Sequence, residues 1–410
     1  MNAPLRTQDL QHGCLGRNEH PCLSTPYLHG RTREELNKTT LFDAHRALQA
    51  KMVDFAGWSM PLQYSGVIDE YRAVRERAGL FDVSHMGRIR LSGEEALPLL
   101  QWVTTNDASR LDEGQAHYSM VCNPNGGVKD DVFLYRLGAQ DYLLCVNASN
   151  REKIMQWLEE QRQVTVRQKL TIIDSSFEIT QLALQGPKSR TILERLTGSS
   201  LAALGMRQCR KYSIADSEAL IARTGYTGEL GYELYLAADQ ALLIWSQLLE
   251  IGRDHGLKPA GLGARDLLRL EMGYFLYGHE LTEDTTPIEA GAEWVVAFNK
   301  GDFVGAQALQ QQRTRGPTRR LIGFELLEKG VPRQGMTVLA NGVPTGIVTS
   351  GNFSPILQKG IGLAYVAPVN ATVGMKLEID IRGRHLPALV VKPPFYRKSR
   401  NAVLDKGTRS

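Results

Sequence analysis

The chain has 410 residues, 42% of them in the set AVILMFWYC and 22% charged; this length suits two or three domains of about 150 residues each, and the composition excludes a disordered, collagen-like or coiled-coil protein. Its 48 Lys and Arg against 44 Asp and Glu leave a formal net charge of +4, too little for a protein that coats nucleic acid. No apolar run approaches the roughly 18 to 20 residues that cross a bilayer, and the five scattered cysteines form no disulfide framework, which fits a reducing, cytoplasmic compartment.

Residues 1–37 have no hydrophobic period and read as a disordered extension. Its Asp9, Glu19, Glu34 and Glu35 suit neither a secretory signal nor an acid-free transit peptide. His12, Cys14, His20, Cys22 and His29 match no zinc spacing, so no metal is expected. Residues 38–175 mix helical spacing over Val67–Arg77 and Glu94–Val103 with strands at Gly87–Leu91 and Tyr142–Val146, giving an α+β domain. Within it Asn125-Gly126-Gly127 has hairpin-turn chemistry, and Asp131–Tyr135 leaves the turn as a strand. Residues 176–318 repeat the mixture in a second α+β domain: a strand at Leu182–Leu184, a helix over Pro187–Leu196, a strand pair within Ala219–Tyr235, and helices over Gln240–Arg253 and Leu262–Phe275. The polar run Gln310–Arg320 reads as a solvated linker. Residues 319–410 carry short apolar segments between Gly, Pro and Asn turns, the pattern of an antiparallel β-barrel.

Common signatures are missing. Gly261-Leu262-Gly263 lacks the third glycine of a dinucleotide fingerprint, since Asp266 stands there, and there is no GxxxxGK, GxSxG or HExxH. Chemistry therefore falls to carboxylates, amides, arginines and aromatics in a few clusters. Tyr118, Asp130, Asp131 and Asn147 form the first; on a strand only one of the two aspartates faces a given side. Arg223–Glu233 forms the second, where Gly225, Gly228 and Gly231 at three-residue intervals imply close backbone approach or a wide turn that projects Tyr226 and Glu233. An ionised Glu accepts two parallel N–H bonds, which suits the donor edge of a pterin. In the third, Arg265 and Arg269 share a helix face, either exposed and neutralised by Asp266 or gripping a carboxylate. Trp294 reads as a core residue, and Arg397 follows Pro393-Pro394-Phe395-Tyr396 near the C-terminus.

These clusters, together with Lys51–Trp58, Gly79–Gly87, Asn123–Asp131, Arg223–Glu229, Gly261–Asp266, Val348–Pro355 and Phe395–Arg397, resemble the glycine cleavage system T-proteins, the aminomethyltransferases, over about residues 38 to 400. The resemblance implies a three-domain α+β cloverleaf around a central folate cavity with a C-terminal antiparallel barrel. It implies tetrahydrofolate as acceptor, the lipoylated H-protein as partner, release of ammonia, and 5,10-methylenetetrahydrofolate as product. By the same resemblance Asp131 is the catalytic carboxylate, while Tyr118, Asn147, Tyr226, Glu233, Arg265 and Arg397 take folate-cavity or other binding positions. The address is cytoplasmic, or the mitochondrial matrix in a eukaryote. Lys129, where an apolar residue is usual, and Glu280, where Asp is commoner, depart from the family pattern. A tetrahydrofolate-dependent demethylase and a folate-binding iron–sulfur accessory protein are the alternatives; the first is often fused to a flavin domain, for which there is no room here, and the second carries a Lys-Gly-Cys motif that is absent.

Overall fold

A computed structural model describes residues 36–165, 169–214 and 217–397. The extension expected over 1–37, with its His and Cys residues, lies outside these up to residue 35; Leu36 is already buried and Asn37 bridges to Trp58. Among the described residues no helix is long and apolar enough to cross a membrane.

The first sheet has five strands in the order Ala116–Cys122, Val128–Gly138, Asp141–Val146, Gly87–Ser92 and Thr171–Asp174. One face buries Ile89, Leu91, Val132, Leu134 and Leu144 against the helices Ala96–Val103 and Arg151–Thr165. The opposite face takes Met120, Cys122 and Val128 against Leu281, Ile288, Val295, Phe303 and Leu309. The second sheet runs Cys209–Ile214, Ser217–Ala222, Gly231–Ala237, Ile179–Gln185, Ala78–Asp82 and Leu257–Pro259, the last pair parallel and the others antiparallel. Helices Ser189–Thr197 and Ala241–Gly252 cover one of its faces, and Val67–Glu76 and Leu262–Met272 the other.

Sequence order and spatial order therefore part company at the expected 175/176 division. Ala78–Asp82, buried at every position, needs a neighbour on both edges and finds them in the second sheet. The segment after Leu276 returns to cover the first. A further difference concerns Gln310–Arg315. The expected linker is the second half of the helix Ala306–Arg315, whose polar side chains face solvent while Leu309 is buried beneath Gly126. Only 316–319 remain as connection.

The third body is the expected barrel. Arg320–Leu326, Lys359–Val366, Val343–Ser354, Thr337–Ala340, Lys376–Ile381 and Arg384–Val391 close antiparallel on themselves, leaving no open edge. Inward residues such as Phe324, Val338, Val348, Ile379 and Val390 fill it.

One helix joins the three bodies. Leu262–Met272 packs Ala264, Leu267 and Leu268 on the second sheet and Leu270 on Ile361 and Leu363 of the barrel. Glu271 accepts from the Tyr71 hydroxyl at 2.8 Å, from Arg75 Nη2 at 2.6 Å and from the barrel's Ser354 hydroxyl at 2.6 Å. Arg269 donates to Asp266 at 2.8 Å, to Glu280 at 3.0 Å and to Ser350 Oγ of the barrel at 2.8 Å. The side chains of Arg75 and Glu271 are 4% and 0% exposed, so neither charge has water as an alternative partner. Glu271→Ala, which leaves the Arg75 guanidinium only Glu229 at 3.2 Å and the Thr227 carbonyl at 2.7 Å, is expected to lower unfolding stability by about 1.5 to 3 kcal/mol, read from urea unfolding; a loss below about 1 kcal/mol would show that the pair is not buried as described.

Candidate functional site

The Asn123–Gly127 turn aims the strand that follows it. Asn123 Oδ1 accepts the N–H groups of Asn125 and Gly127, both at 3.0 Å. A Cβ on Gly127 would stand 1.8 Å from the Glu283 carbonyl oxygen, so only glycine fits there. Three residues on, the side chains of Asp130 and Asp131 leave the strand on opposite faces, the first fully buried and the second partly exposed. Asp130 accepts from the Asn147 backbone at 3.0 Å, the Asn147 side-chain amide at 2.8 Å and Asn150 Nδ2 at 2.5 Å. Asp131 Oδ1 accepts from the same Asn147 amide at 2.8 Å. Its Oδ2 accepts from the hydroxyl of Tyr118 at 2.9 Å; Tyr118 lies opposite Phe133 and so diagonal to Asp131. Asn147 thus ties together two carboxyls that the backbone turns apart. Burial raises the pKa of both, and repulsion from Asp131 raises that of Asp130 further; the amide and phenol donors act the other way. The two groups titrate as a pair.

Trp294 overturns the expectation of a core role. It is 62% exposed and stacks on Tyr118 with ring centroids 5.8 Å apart and planes at 25°. The short helix Glu293–Val295 buries Val295 instead, which leaves the neighbouring indole on the outside, over the phenol that holds Asp131.

The glycine-rich segment makes the close approach that its spacing implies. Cβ atoms on Gly225 and Gly231 would fall 2.1 and 2.2 Å from Gln185 Oε1, whose side chain fills the space between them and accepts from the Thr227 hydroxyl at 2.9 Å. The segment so folded presents Tyr226 and Glu233. Glu233 accepts from Thr224 Oγ1 at 2.5 Å, from Gln181 Nε2 at 3.3 Å and from the Tyr135 hydroxyl at 3.5 Å. Tyr135 shares a strand face with Asp131 by two-residue alternation, so one strand reaches from the aspartate cluster to Glu233. Tyr226 donates to the Phe275 carbonyl, stacks on Tyr274 at 5.6 Å and lies under the Arg265 guanidinium at 4.7 Å. Burial, partly offset by Arg269, raises its phenol pKa, and Asp131 adds to the rise.

Arg265 and Arg269 do not share a common exposed face. Arg269 is buried in the ion pairs described above, whereas Arg265 has no ion-pair partner among the described residues and faces Tyr226. Arg397 ends the described chain. It is exposed and bonded to nothing among the described residues, although Tyr396 beside it stacks on Arg75 at 4.4 Å. The structure therefore brings together Asp131, Tyr118 and Asn147, sets Tyr226 with Arg265 and Glu233 close by, and leaves Arg397 apart. Sequence reasoning missed Asn150, Tyr135, Gln181 and His85. Tyr135 and Gln181 follow from strand parity once register is known, whereas Asn150 lies on the short helix Ala148–Asn150 after the strand. His85 is buried, its Nδ1 has no partner, and burial together with the Arg265 charge pushes its pKa down to about 3. Lys129, the apparent departure, lies over the Trp157 ring at 4.6 Å and pairs with Glu283 at 3.3 Å. Among the described residues no group of three or more His, Cys, Asp or Glu side chains is placed to hold a metal ion.

Residues 41–300 match the family model of the GCVT N-terminal domain, and residues 319–397 that of the glycine cleavage T-protein C-terminal barrel domain. Among curated proteins, the aminomethyltransferase of Halothermothrix orenii is 46% identical over 360 residues, 88% of this chain and 100% of that one. The aminomethyltransferase of Symbiobacterium thermophilum is 48% identical over 368 residues, 89% of this chain and 98% of its own length. Among solved structures, the glycine cleavage system aminomethyltransferase T from Bartonella henselae superposes with a TM-score of 0.82 at 34% identity, over 88% of this chain and 98% of that one.

The Tyr118 hydroxyl favours the ionised form of Asp131. In Tyr118→Phe the Asp131 titration is expected to move to higher pH, because the lost bond served the anion only. Carboxyl carbon NMR across pH 4 to 9 reads the midpoint, and a midpoint that stays or falls would show that this bond does not support the charge.

Proposed function

The chain belongs to the glycine cleavage T-protein family of aminomethyltransferases, and from that premise we propose how its own residues carry the reaction. It is an aminomethyltransferase, a tetrahydrofolate-dependent transferase; the demethylase and accessory-protein alternatives are not favoured, since both family models and the curated relatives agree on the transferase. In the proposed reaction the lipoyl arm of the H-protein presents an S-aminomethyl thioether. The nitrogen leaves as ammonia, the carbon forms bonds to N5 and N10 of tetrahydrofolate, and the sulfur departs as the thiol of dihydrolipoyl H-protein.

The carbon passes through a cation-like state when it is detached from nitrogen or sulfur, so an anion fixed beside it lowers the barrier without reorganisation. Asp131 is that anion in this reading. Its support is one observation: a carboxylate at the open side of a strand, held by a phenol and an amide that both donate to its charged form. Tyr118 and Asn147 orient it, and Trp294 extends the aromatic wall. Glu233 is assigned to the donor edge of the pterin, with Thr224, Gln181 and Tyr135 fixing its carboxylate. Arg265, whose guanidinium has no carboxylate to pair with among the described residues, and Tyr226 are assigned to the same substrate, and Arg397 to a contact made from the segment after the barrel. The setting is cytoplasmic, consistent with Cys122, Cys145 and Cys209 as buried free thiols.

Two measurements test this. With tetrahydrofolate and aminomethylated H-protein, Asp131→Asn is expected to lose about 10² to 10³ in turnover, scored as ammonia and methylenetetrahydrofolate, while tetrahydrofolate binding stays within a few-fold; wild-type turnover would remove the assignment. Glu233→Gln is expected to weaken tetrahydrofolate binding by about tenfold or more with a smaller effect on turnover at saturation, measured by calorimetry and steady-state kinetics; unchanged affinity would move the pterin edge elsewhere.

A further inference from the structure

Lys300 is held by main-chain carbonyls rather than by a carboxylate. Its Nζ donates to the main-chain carbonyls of Gln101 at 2.7 Å, Thr104 and Asn106 at 3.0 Å, and no carboxylate lies within ion-pair distance among the described residues. The ammonium also sits 4.9 Å from the centre of the Phe303 ring. Gln101 and Thr104 lie at the C-terminal end of the helix Ala96–Val103, where the peptide dipoles favour a cation.

The two segments so joined both lead to Asp131. The loop over 104–106 runs behind Tyr118: Asn106 Nδ2 donates to the Tyr118 carbonyl and its backbone N–H to Ser119 Oγ, each at 2.9 Å. The other segment carries Trp294, continues through Ala297, whose N–H donates to the Thr105 carbonyl at 2.9 Å, and ends at Lys300. Tyr118 and Trp294 are thus stacked rings on two strips of chain, and the strips are fastened by a main-chain bond and one side-chain ammonium.

We propose that Lys300 is a positioning residue for the reaction at Asp131, a latch that holds the Trp294 segment on the loop behind Tyr118 and so fixes the phenol that orients the carboxylate. The proposal rests on the reading of Asp131 as the reacting anion. An ammonium has a proton for each of the three carbonyls, whereas a neutral amine has two protons and turns a lone pair toward the third. Burial pushes the Lys300 pKa down to about 7, opposed by Asp107. The other titratable group facing it, His117, is itself driven down to about 4 by burial, Lys300 and Arg207, with Asp107 opposing, and stays neutral across this range. The latch accordingly has its full set of bonds below neutrality and loses one above it.

Amide hydrogen exchange and kinetics on the full chain test this. In Lys300→Met the protection of the Ala297 and Asn106 amides is expected to fall by about tenfold, and kcat with aminomethylated H-protein and tetrahydrofolate to fall by about tenfold with KM changed less than about threefold, since orientation rather than binding is lost. Lys300→Arg, which keeps its protons at every pH, is expected to restore the protection and to flatten the decline expected of the wild type between about pH 6 and 8. Wild-type protection in Lys300→Met, or lost protection with unchanged kcat, would overturn the proposal. Should Lys300→Met fail to fold, Lys300→Arg decides, and a wild-type pH dependence of protection in that variant overturns it as well. An Asp131→Asn enzyme with normal turnover would defeat the reading of the site while leaving the exchange results intact, so the two failures are distinguishable.

Discussion

Two buried ion pairs on one helix hold this molecule in a single arrangement. Arg75 with Glu271 and Arg269 with Glu280 lie where water does not reach; Arg75 is fixed within the second body by Glu271, Glu229 and the Thr227 carbonyl, and Arg269 takes its position from Glu280 and from Ser350 of the barrel. Ser350 and Ser354 carry the arrangement into the barrel, and Tyr71 carries it to the second sheet. An apolar seam would tolerate sliding by a fraction of a turn. A planar fork with paired acceptors does not, because any slip strands a charge in a medium that cannot solvate it. Arg265 stands one turn before Arg269 on this helix, so its reach over Tyr226 is inherited from that fixation rather than held by a partner of its own.

The site inverts this arrangement. Among the described residues Asp130 and Asp131 have no cation in contact, and the two carboxyls are held by amides and a phenol alone. Neutral donors hold an anion in place without cancelling its field, so the field remains available to a cation that forms nearby. A salt bridge would have fixed the carboxylate equally well and silenced it. The same consideration gives Asn147 its place: a single amide with two protons orients two neighbouring carboxyls at once.

Much of this was legible in the sequence, and for physical reasons. Helices such as Val67–Glu76 and strands such as Asp141–Val146 showed because period and burial coincide along them, and the barrel showed because its turns recur at short, even spacing. The glycine segment was legible because only a missing side chain admits Gln185 so closely. Other features were hidden. Ala78–Asp82 is apolar throughout, so nothing local tells which sheet claims it. Gln310–Arg315 looked like a linker because a helix that buries little beyond Leu309 has almost no apolar stripe. Trp294 looked like core because size and aromaticity usually decide burial, and here its neighbour Val295 fills the interior instead. The burial of Arg269 was hidden because Glu280 and Ser350, which bind it, lie outside its helix.

The placing of Ala78–Asp82 has a consequence for how the protein comes into being. Its neighbours in the sheet are Ile179–Gln185 and Leu257–Pro259, so a strand synthesised early must wait for chain made much later. Until then it presents two unpaired edges, the kind of surface that invites mispairing between nascent molecules. Synthesis halted near residue 175 would give a five-stranded sheet with one face still bare, since Leu281 through Leu309 had not yet been made. Completion of the two α+β bodies is thus a joint event, governed by contacts of long sequence separation, and the barrel at the end of the chain is the one part that can close by itself.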